Sequence, residues 1–268
     1  MICPLCTSNE FQEKKMKSCQ VYQCSNCALQ YFDDDKGDKD NSYLKNYDES
    51  RKNESVLSKL RQIQYSIDVE HFKKNILKGN VLDVGCSTGE FINKLHTVSK
   101  LNLYGIDIDK DAISIAKNKC DPSIDFINTD LINYQTNLKF DCIIFRGSFQ
   151  FLGHDLKKTL EKIFKISSKN CKIIIYSLPN SDSILYYLLK DNWNLFDMFS
   201  KTLIFNKTSI MKLCEIYNYK ICECSYPYLE TPYANPAENY KNLIQLIKGK
   251  KNNSFPFWGN IMQIVLEK

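Results

Sequence analysis

Four cysteines near the start of the chain form two closely spaced pairs. Cys3 and Cys6 make one C-x2-C pair and Cys24 and Cys27 make another, with seventeen residues between the pairs. This spacing is typical of a tetrahedral zinc site built on two short turns. Four thiolates leave no open coordination position, so we expect a structural zinc ion that stabilises a unit of about thirty residues. Cys19 is an alternative ligand, and an accidental pairing of surface cysteines is the alternative interpretation.

A second candidate site follows the first predicted strand of the main domain. Asp83 lies in this strand, and Gly85, Ser87 and Gly89 follow in a turn that leads into a helical segment. At such a turn, a parallel sheet presents backbone amides to a ligand. A nicotinamide-binding fingerprint requires glycines at steps zero, two and five, but Ser87 and Glu90 occupy steps two and five. The pattern therefore argues against that fingerprint.

Two further acids end the next two predicted strands. Asp107 lies twenty-two residues after Gly85, where a carboxylate can accept both hydroxyls of a ribose. Asp130 follows the third strand. Each acid alone could be a solvated strand end or a helix cap. Three acids at successive strand ends favour a shared cofactor site.

The elements that must position these acids are short β-branched runs that alternate with helical segments. Such alternation predicts an α/β fold with a doubly wound, mostly parallel sheet of seven strands. The strands are expected at 81–84, 103–107, 124–127, 142–145, 173–176, 221–225 and 261–266. Residues 43–78 have a helical pattern, and so do 208–217. We therefore expect a zinc ribbon and linker over 1–38 and the main domain over 39–268.

The turn and the acids together resemble the class I S-adenosylmethionine-dependent methyltransferases. The first motif of that family is an acid, one residue, then Gly-x-Gly-x-Gly, and a serine here replaces the middle glycine. The resemblance implies that S-adenosylmethionine is the cofactor. It also implies that Asp107 binds the ribose hydroxyls and that Asp130 binds the adenine amino group. It implies cofactor contacts from Asp83, Gly85, Cys86, Ser87, Gly89, Asp107, Ile108, Asp130, Leu131, Arg146 and Gly147.

Residues 140–150 resemble the fourth motif of a branch of this family that often has an N-terminal cysteine ribbon and acts on small molecules, sugars or glycan precursors. In that branch a histidine is common where this chain has Phe151. His154 lies three residues later and is one candidate general base, although a surface histidine is an equal interpretation. Methyl transfer depends mainly on in-line positioning, and only a poor nucleophile such as a hydroxyl needs a base, for which Glu230 or Tyr233 are further candidates.

Two segments are candidates for the acceptor side. Residues 181–205 are rich in aromatic side chains, which indicates either an ordinary core or a lid over the cationic cofactor. Residues 226–236 contain three prolines and no periodicity, which indicates a long loop before the last strand. Its Glu230, Tyr233 and Asn235 are candidates for acceptor recognition, with an inert surface loop as the alternative.

Composition limits the classes of partner. The chain has 268 residues with a net charge of +5, 43% apolar and 25% charged residues, and no apolar run long enough for a membrane span. No secretory signal precedes Cys3, so we expect a cytoplasmic protein with reduced thiols. The charge is too low for a dedicated nucleic-acid binder, and the sequence leaves the oligomeric state open.

We therefore expect methyl transfer to an N or O atom of a small polar metabolite or of a sugar-linked precursor of a capsule or other surface polysaccharide. One alternative is a ribosomal RNA base methyltransferase, because some of these also join a cysteine ribbon to this fold. Another alternative is a non-catalytic protein in which the ribbon is an interaction module fused to a degenerate nucleotide-binding domain.

Overall fold

The chain forms two β-sheets. A computed structural model describes residues 1–15, 20–32, 54–76, 78–97, 100–189, 193, 202–250 and 255–268, with only the backbone of 15, 32, 54–58 and 154. Cys19, the predicted linker and residues 190–192 and 194–201 of the aromatic segment lie outside these ranges. Within the described residues, no helix is both long and apolar enough to cross a bilayer.

The N-terminal sheet has three antiparallel strands. They are β1 (Phe11–Lys15), β2 (Gln20–Cys24) and β3 (Gln30–Phe32), paired in the order β1-β2-β3. The four cysteines of the predicted zinc site lie at two turns. Cys3 and Cys6 lie at the turn before β1, and Cys24 and Cys27 lie at the end of β2 and in the turn that leads to β3.

The second sheet has seven strands and helices on both faces. Its elements are α1 (Glu54–Asn75), β4 (Asn80–Val84), α2 (Glu90–His96), β5 (Asn102–Asp107), α3 (Lys110–Lys119), β6 (Asp125–Asn128), β7 (Phe140–Arg146), a 3-10 segment (Phe149–Asp155), α4 (Leu156–Ile166), β8 (Ser167–Pro179), α5 (Ile184–Leu189), α6 (Lys207–Tyr217), β9 (Lys220–Ser225), α7 (Pro236–Ile247) and β10 (Ile261–Glu267).

The strand order is β6-β5-β4-β7-β8-β10-β9, and only β10 runs antiparallel to its neighbours. This order confirms the predicted mostly parallel, seven-stranded sheet. The order reverses at β4, so the carboxyl ends of β4, β5 and β7 meet around a crevice, which is where α/β sheets bind ligands.

Alternate residues of the central strands pack into hydrophobic cores on opposite faces of the sheet, because successive side chains of a β-strand point to opposite sides. Ile143 and Phe145 pack with α4, α6 and the cysteine turns. Cys142 and Ile144 pack with α1, α2 and α3. Both faces of the sheet are thus covered, which explains why the strand sequences are almost continuously apolar.

The N-terminal sheet packs against the main domain without a separate core. The backbone amide of Gln30 donates to the carbonyl of Ile204 at 3.1 Å, and the amide of Ile204 donates back at 2.9 Å. The hydroxyl of Tyr186 donates to Oε1 of Gln30. Val21 shares a buried cluster with Tyr186 and Trp193. The aromatic segment therefore forms core beneath the ribbon at these positions, as one of its two interpretations expects.

The predicted loop over 226–236 is shorter than expected. Pro236 is the first residue of α7, and the side chain of Asn235 accepts a hydrogen bond from the amide of Glu238. Asn235 is thus the N-cap of α7, and it is not among the residues that line the cavities described below. Helices α5 and α7 had no predicted counterpart.

Candidate active site

The turn after β4 has the backbone geometry of a ligand-binding loop. Gly85 and Gly89 have φ angles of 79° and 76°, in the left-handed region that glycine adopts without strain. The amide of Gly85 donates to the carbonyl of Ile106 at 2.8 Å, which holds the turn against β5. A Cβ atom on Gly89 would lie 2.7 Å from the ring of Phe126, so no larger residue fits there.

Ser87 takes the place of the middle glycine of the family motif and keeps its conformation. Its φ is 51°, which is unusual for a residue with a side chain. The amide of Ser87 donates to Oδ2 of Asp107 at 2.8 Å, and the amide of Asp109 donates to Oδ1 at 2.9 Å. The Asp107 carboxylate thus holds the turn after β4 against the end of β5.

Asp83 is a buried acid with an unused hydrogen-bonding atom. Its side chain is 2% exposed, and Oδ1 has no partner among the described residues. The pKa of Asp83 is raised to about 7, mainly by burial; the Arg146 charge opposes this rise, and the Asp107 charge adds to it. A buried carboxylate without a partner is costly, so this position fits a cationic group of a ligand.

Asp130 lies at the opposite side of the same crevice. The amide of Asn133 donates to Oδ1 of Asp130 at 2.8 Å, and the Asn133 side chain donates to Oδ2 at 2.6 Å. These bonds fix the carboxylate at the end of β6 and still leave lone pairs toward the crevice.

The crevice contains two adjoining cavities. The larger, of about 820 Å³, is within the range of cofactor sites and is lined by eight of the predicted cofactor residues: Gly85, Ser87, Asp107, Ile108, Asp130, Leu131, Arg146 and Gly147. A neighbouring cavity of about 410 Å³ is lined by Asp83 and Cys86 and again by Gly85, Ser87 and Arg146. Gly89 lines neither cavity and instead packs under the turn. We call the two together the cofactor crevice.

Arg146, at the end of β7, connects this crevice to a third cavity. Its Nε donates to Oδ2 of Asp68 at 2.9 Å, and Asp68 is only 3% exposed. The guanidinium also lies 4.3 Å from the ring centroid of Tyr65 and 5.6 Å from that of Phe91. An ion pair combined with two aromatic faces holds the guanidinium in one place.

The third cavity, which we call the acceptor cavity, has a volume of about 360 Å³. Its lining combines aromatic rings with polar groups from α1, β8, β10 and the loop after β9. Two residues of the predicted acceptor side, Tyr233 and Trp193, line it. The other lining residues include Arg61, Gln64, Asp68, Arg146, Tyr176, Tyr228, Phe257, Asn260 and Gln263. Because Arg146 lines all three cavities, the acceptor cavity and the cofactor crevice share a wall.

Helix α1 is bound to the sheet next to this wall. The hydroxyl of Tyr176 donates to the backbone carbonyl of Asp68 at 3.1 Å and hydrogen-bonds Nδ1 of His71 at 3.0 Å. Nε2 of His71 lies 2.9 Å from Oε2 of Glu223 on β9. The bonds fix the register of α1 relative to β8 and so set the position of Asp68.

The three candidate bases have different locations. Tyr233 lines the acceptor cavity; burial raises its pKa, and the charges of Arg146 and Arg61 oppose this shift. Glu230 is exposed and is not among the residues that line the three cavities, and its carboxylate accepts a bond from the amide of Tyr228 at 3.0 Å. Hydrogen bonds from backbone amides lower the pKa of Glu230, which weakens it as a base. The side chain of His154 lies outside the described part of the chain.

Several residues of the acceptor cavity were not singled out by sequence reasoning. Asp68, Gln64 and Arg61 all lie on α1, whose helical pattern was visible in the sequence. Their polar types are ordinary for an exposed helix face, so no signal separated them from solvated residues. Only the packing of α1 over the carboxyl end of β7 brings Asp68 to Arg146, seventy-eight residues away in sequence.

The four predicted zinc ligands lie together. The Sγ atoms of Cys3, Cys6, Cys24 and Cys27 are all within 4.8 Å of one another, with 3.6 Å between Cys3 and Cys27 and 3.5 Å between Cys6 and Cys24. Tetrahedral Zn–S bonds of about 2.3 Å place sulfurs about 3.8 Å apart, so the cluster fits a zinc ion.

Comparison with known proteins agrees with this geometry. Residues 81–170 match the family model of a methyltransferase domain. The chain is 33% identical over 149 residues to a carboxy-S-adenosyl-L-methionine synthase of Campylobacter hominis, an alignment that covers 53% of each protein. It is 27% identical over 181 residues to malonyl-(acyl-carrier protein) O-methyltransferase 1 of Ilyobacter polytropus, covering 65% of this chain and 64% of the relative. It thus spans less than two thirds of either relative.

A solved structure shows the same fold. The plantazolicin methyltransferase BpumL, crystallised with a monoazolic desmethylPZN analog and SAH, superposes with a TM-score of 0.56 at 19% identity, and the match covers 85% of this chain and 92% of that chain. The protein therefore has the fold of the class I S-adenosylmethionine-dependent methyltransferases. The residues that match the methyltransferase-domain model include the turn after β4 and the acids at the ends of β5 and β6.

Proposed function

We propose that the protein transfers a methyl group from S-adenosylmethionine to an N or O atom of a small polar acceptor. The observation that carries this proposal is the shared wall at Arg146, which lines both the cofactor crevice and the acceptor cavity. Direct transfer requires the acceptor atom to lie about 3–3.5 Å from the methyl carbon, so the two ligands would meet beside the Arg146 side chain, where the cavities adjoin. A sugar-linked precursor of a surface polysaccharide remains our expected acceptor from the family resemblance.

The chain's own residues would bind and orient the cofactor. From the family resemblance, the Asp107 carboxylate would accept the ribose hydroxyls, and Asp130 would accept the adenine amino group. The unpartnered Oδ1 of Asp83 fits the positive charge of the methionine part. When bound, the cofactor supplies an activated methyl group on a sulfonium. Its cationic charge also relieves the like-charge repulsion between Asp83 and Asp107.

On the acceptor side, the main contribution would be positioning. Arg146 is held by Asp68 and Tyr65, so it keeps its place when the acceptor enters. If the acceptor atom is a hydroxyl oxygen, Tyr233 is the candidate that lines the cavity; its phenol oxygen would accept a hydrogen bond from that hydroxyl, and the released proton would pass to solvent. An amine acceptor needs only to arrive deprotonated.

We also propose that Cys3, Cys6, Cys24 and Cys27 bind one structural zinc ion. The sulfur cluster contacts the same buried core as α6, and the neighbouring β3 pairs with Ile204. Zinc would therefore stabilise the ribbon and, through it, the segment that contributes Trp193 to the acceptor cavity.

A transfer assay tests the proposed function. The purified protein is incubated with S-adenosylmethionine carrying a tritiated methyl group and with separate pools of sugar phosphates, nucleotide-linked sugars, amino acids and ribosomal RNA. We expect label in a small-molecule pool and none with an Asp83→Ala, Asp107→Ala double variant. Transfer to ribosomal RNA alone would contradict the small-molecule proposal, and failure to bind the cofactor would favour the interaction module.

A further inference from the structure

Two side chains that line the acceptor cavity each have a buried oxygen without a hydrogen-bond partner among the described residues. They belong to Gln64, on α1, whose Oε1 has no partner, and to Asn260, just before β10, whose Oδ1 has none. A buried acceptor without a donor is costly, so each side chain favours a ligand that brings a donor. Because both residues line the same cavity, one ligand bound there can donate to both.

The orientation of each amide is fixed by its other end. Nε2 of Gln64 donates to Oδ1 of Asp68 at 2.7 Å, and Nδ2 of Asn260 donates to the carbonyl of Phe255 at 3.0 Å. Rotating either amide by half a turn would place an oxygen against these acceptors and lose the bond. The atoms left for a ligand are therefore oxygens, which accept bonds from N–H or O–H groups.

The charge of the cavity is positive. Arg61 and Arg146 both line it, and Asp68 is the one carboxylate among its described lining residues. Asp68 is bonded to Arg146, whereas Arg61 has no ion pair with any part of the chain that the structure describes. Within the part of the chain that the structure describes, the Arg61 guanidinium is thus left without a carboxylate partner, in a half-buried position where its planar fork can bind a carboxylate or phosphate by two bonds.

We propose that the acceptor is an acidic small molecule that carries hydroxyl or amine donors, with its carboxylate or phosphate bound by Arg61 and its donors bound by Gln64 and Asn260. This inference rests on the proposed function and specifies its substrate class. Tyr228 and Phe257 provide apolar surface for the carbon skeleton of such a molecule.

The test measures the affinity of the full-length protein, saturated with S-adenosylhomocysteine, for three related probes by calorimetry. Glucosamine is the probe without an acid, glucosamine 6-phosphate adds a phosphate, and glucuronate carries a carboxylate. We expect at least one acidic probe to bind tenfold or more tightly than glucosamine, and the two acidic probes distinguish phosphate from carboxylate recognition. Equal affinities, or no binding of either acid at millimolar concentration, would overturn the inference.

Two variants assign the roles. Arg61→Ala should abolish the preference for the acidic probe, whereas Lys241→Ala, which removes an exposed positive charge on α7, should keep it. Gln64→Met keeps the length of the side chain and removes the oxygen, so we expect all probes to bind about tenfold more weakly with the acid preference intact. An acid preference that survives Arg61→Ala would overturn the assignment.

Binding of S-adenosylhomocysteine is measured first on every variant. If the cofactor product binds and the acid preference is missing, only the substrate class is wrong. If S-adenosylhomocysteine itself does not bind, the proposed function fails and the substrate class fails with it.

Discussion

Arg146 and Asp68 form a buried ion pair at the wall between two cavities, with Nε of the arginine 2.9 Å from Oδ2 of the aspartate. Asp68 comes from α1, and Arg146 comes from the end of β7. The pair therefore links helix α1 to the strand whose end lines the cofactor crevice. Helix α1 is therefore part of the site.

Removing the charge of Asp68 should destabilise the fold. Asp68→Asn leaves the Arg146 guanidinium without its buried counterion, and breaking a buried pair typically costs about 3–5 kcal/mol. We expect the lower part of this range, because Arg146 is 19% exposed. The matched control is Glu70→Gln on the same helix, which removes an exposed pair with Lys73 and should change stability by less than about 1 kcal/mol. Urea unfolding measures the free energy of unfolding of both variants. Equal losses of stability would show that the buried pair stabilises the fold no more than the exposed pair does.

The turn after β4 allows a comparison of two glycines with the same backbone angle. Gly89 and Gly249 have φ angles of 76° and 77°, but only Gly89 would place a Cβ against a neighbour, Phe126. Gly249→Ala should cost about 1–2 kcal/mol from the left-handed conformation alone. Gly89→Ala should cost about 1–3 kcal/mol more from overpacking, also measured by urea unfolding. A Gly89→Ala variant as stable as Gly249→Ala would contradict the described packing.

Asp83 should make cofactor binding depend on pH. Its pKa is raised to about 7 by burial, and the cofactor's positive charge favours the carboxylate. Affinity should therefore rise about five- to tenfold between pH 6 and pH 7.5, following the carboxylate fraction. Calorimetry with S-adenosylmethionine measures this rise, and Asp83→Asn should flatten it. An unchanged pH dependence in Asp83→Asn would assign the titration to another group.

The stability of the ligand-free protein should have the opposite pH dependence. Between pH values of about 4 and 7, folded Asp83 holds a proton that the unfolded chain has released. The contribution of Asp83 to the free energy of unfolding therefore falls as pH rises through this window and is constant above it. The difference in stability between the wild type and Asp83→Asn, followed by urea unfolding, should show this window.

The cysteine cluster predicts a defined metal content. The wild-type protein should contain one zinc per chain, and Cys24→Ser should lose the zinc and lower the thermal midpoint. Cys222→Ser, which changes an exposed cysteine outside the cluster, is the control and should keep both. Full zinc occupancy in Cys24→Ser would indicate a different ligand set, with Cys19 as the first alternative.

The sequence was sufficient for the parts of the fold that depend on local patterns. Apolar runs and the turn glycines predicted the sheet, because a parallel strand buried on both faces must be continuously apolar. The predicted last strand has no clean alternation of apolar and polar residues, and it nevertheless forms β10. This strand pairs with β8 on one side and with β9 on the other.

Two kinds of feature could not be predicted. Some depend on contacts between residues distant in sequence, and one is the helix cap at Asn235, which the sequence analysis assigned to a loop. The pattern of Asn235, Pro236 and Glu238 is a helix start, but a loop interpretation of the prolines concealed α7. Glu230 appeared suited to acceptor binding, yet its bond to the Tyr228 amide holds it at the surface. Gln64 and Asp68 acquire their roles only through the packing of α1.

The most direct test of the account is a calorimetric titration of the protein with S-adenosylhomocysteine. We predict a micromolar dissociation constant with one site per chain. Asp107→Ala should bind at least about tenfold more weakly, because the carboxylate both accepts ribose hydroxyls and holds the Ser87 amide. The exposed Asp111→Ala should bind as the wild type does. Absence of binding to the wild-type protein would contradict the central claim that this crevice is a cofactor site.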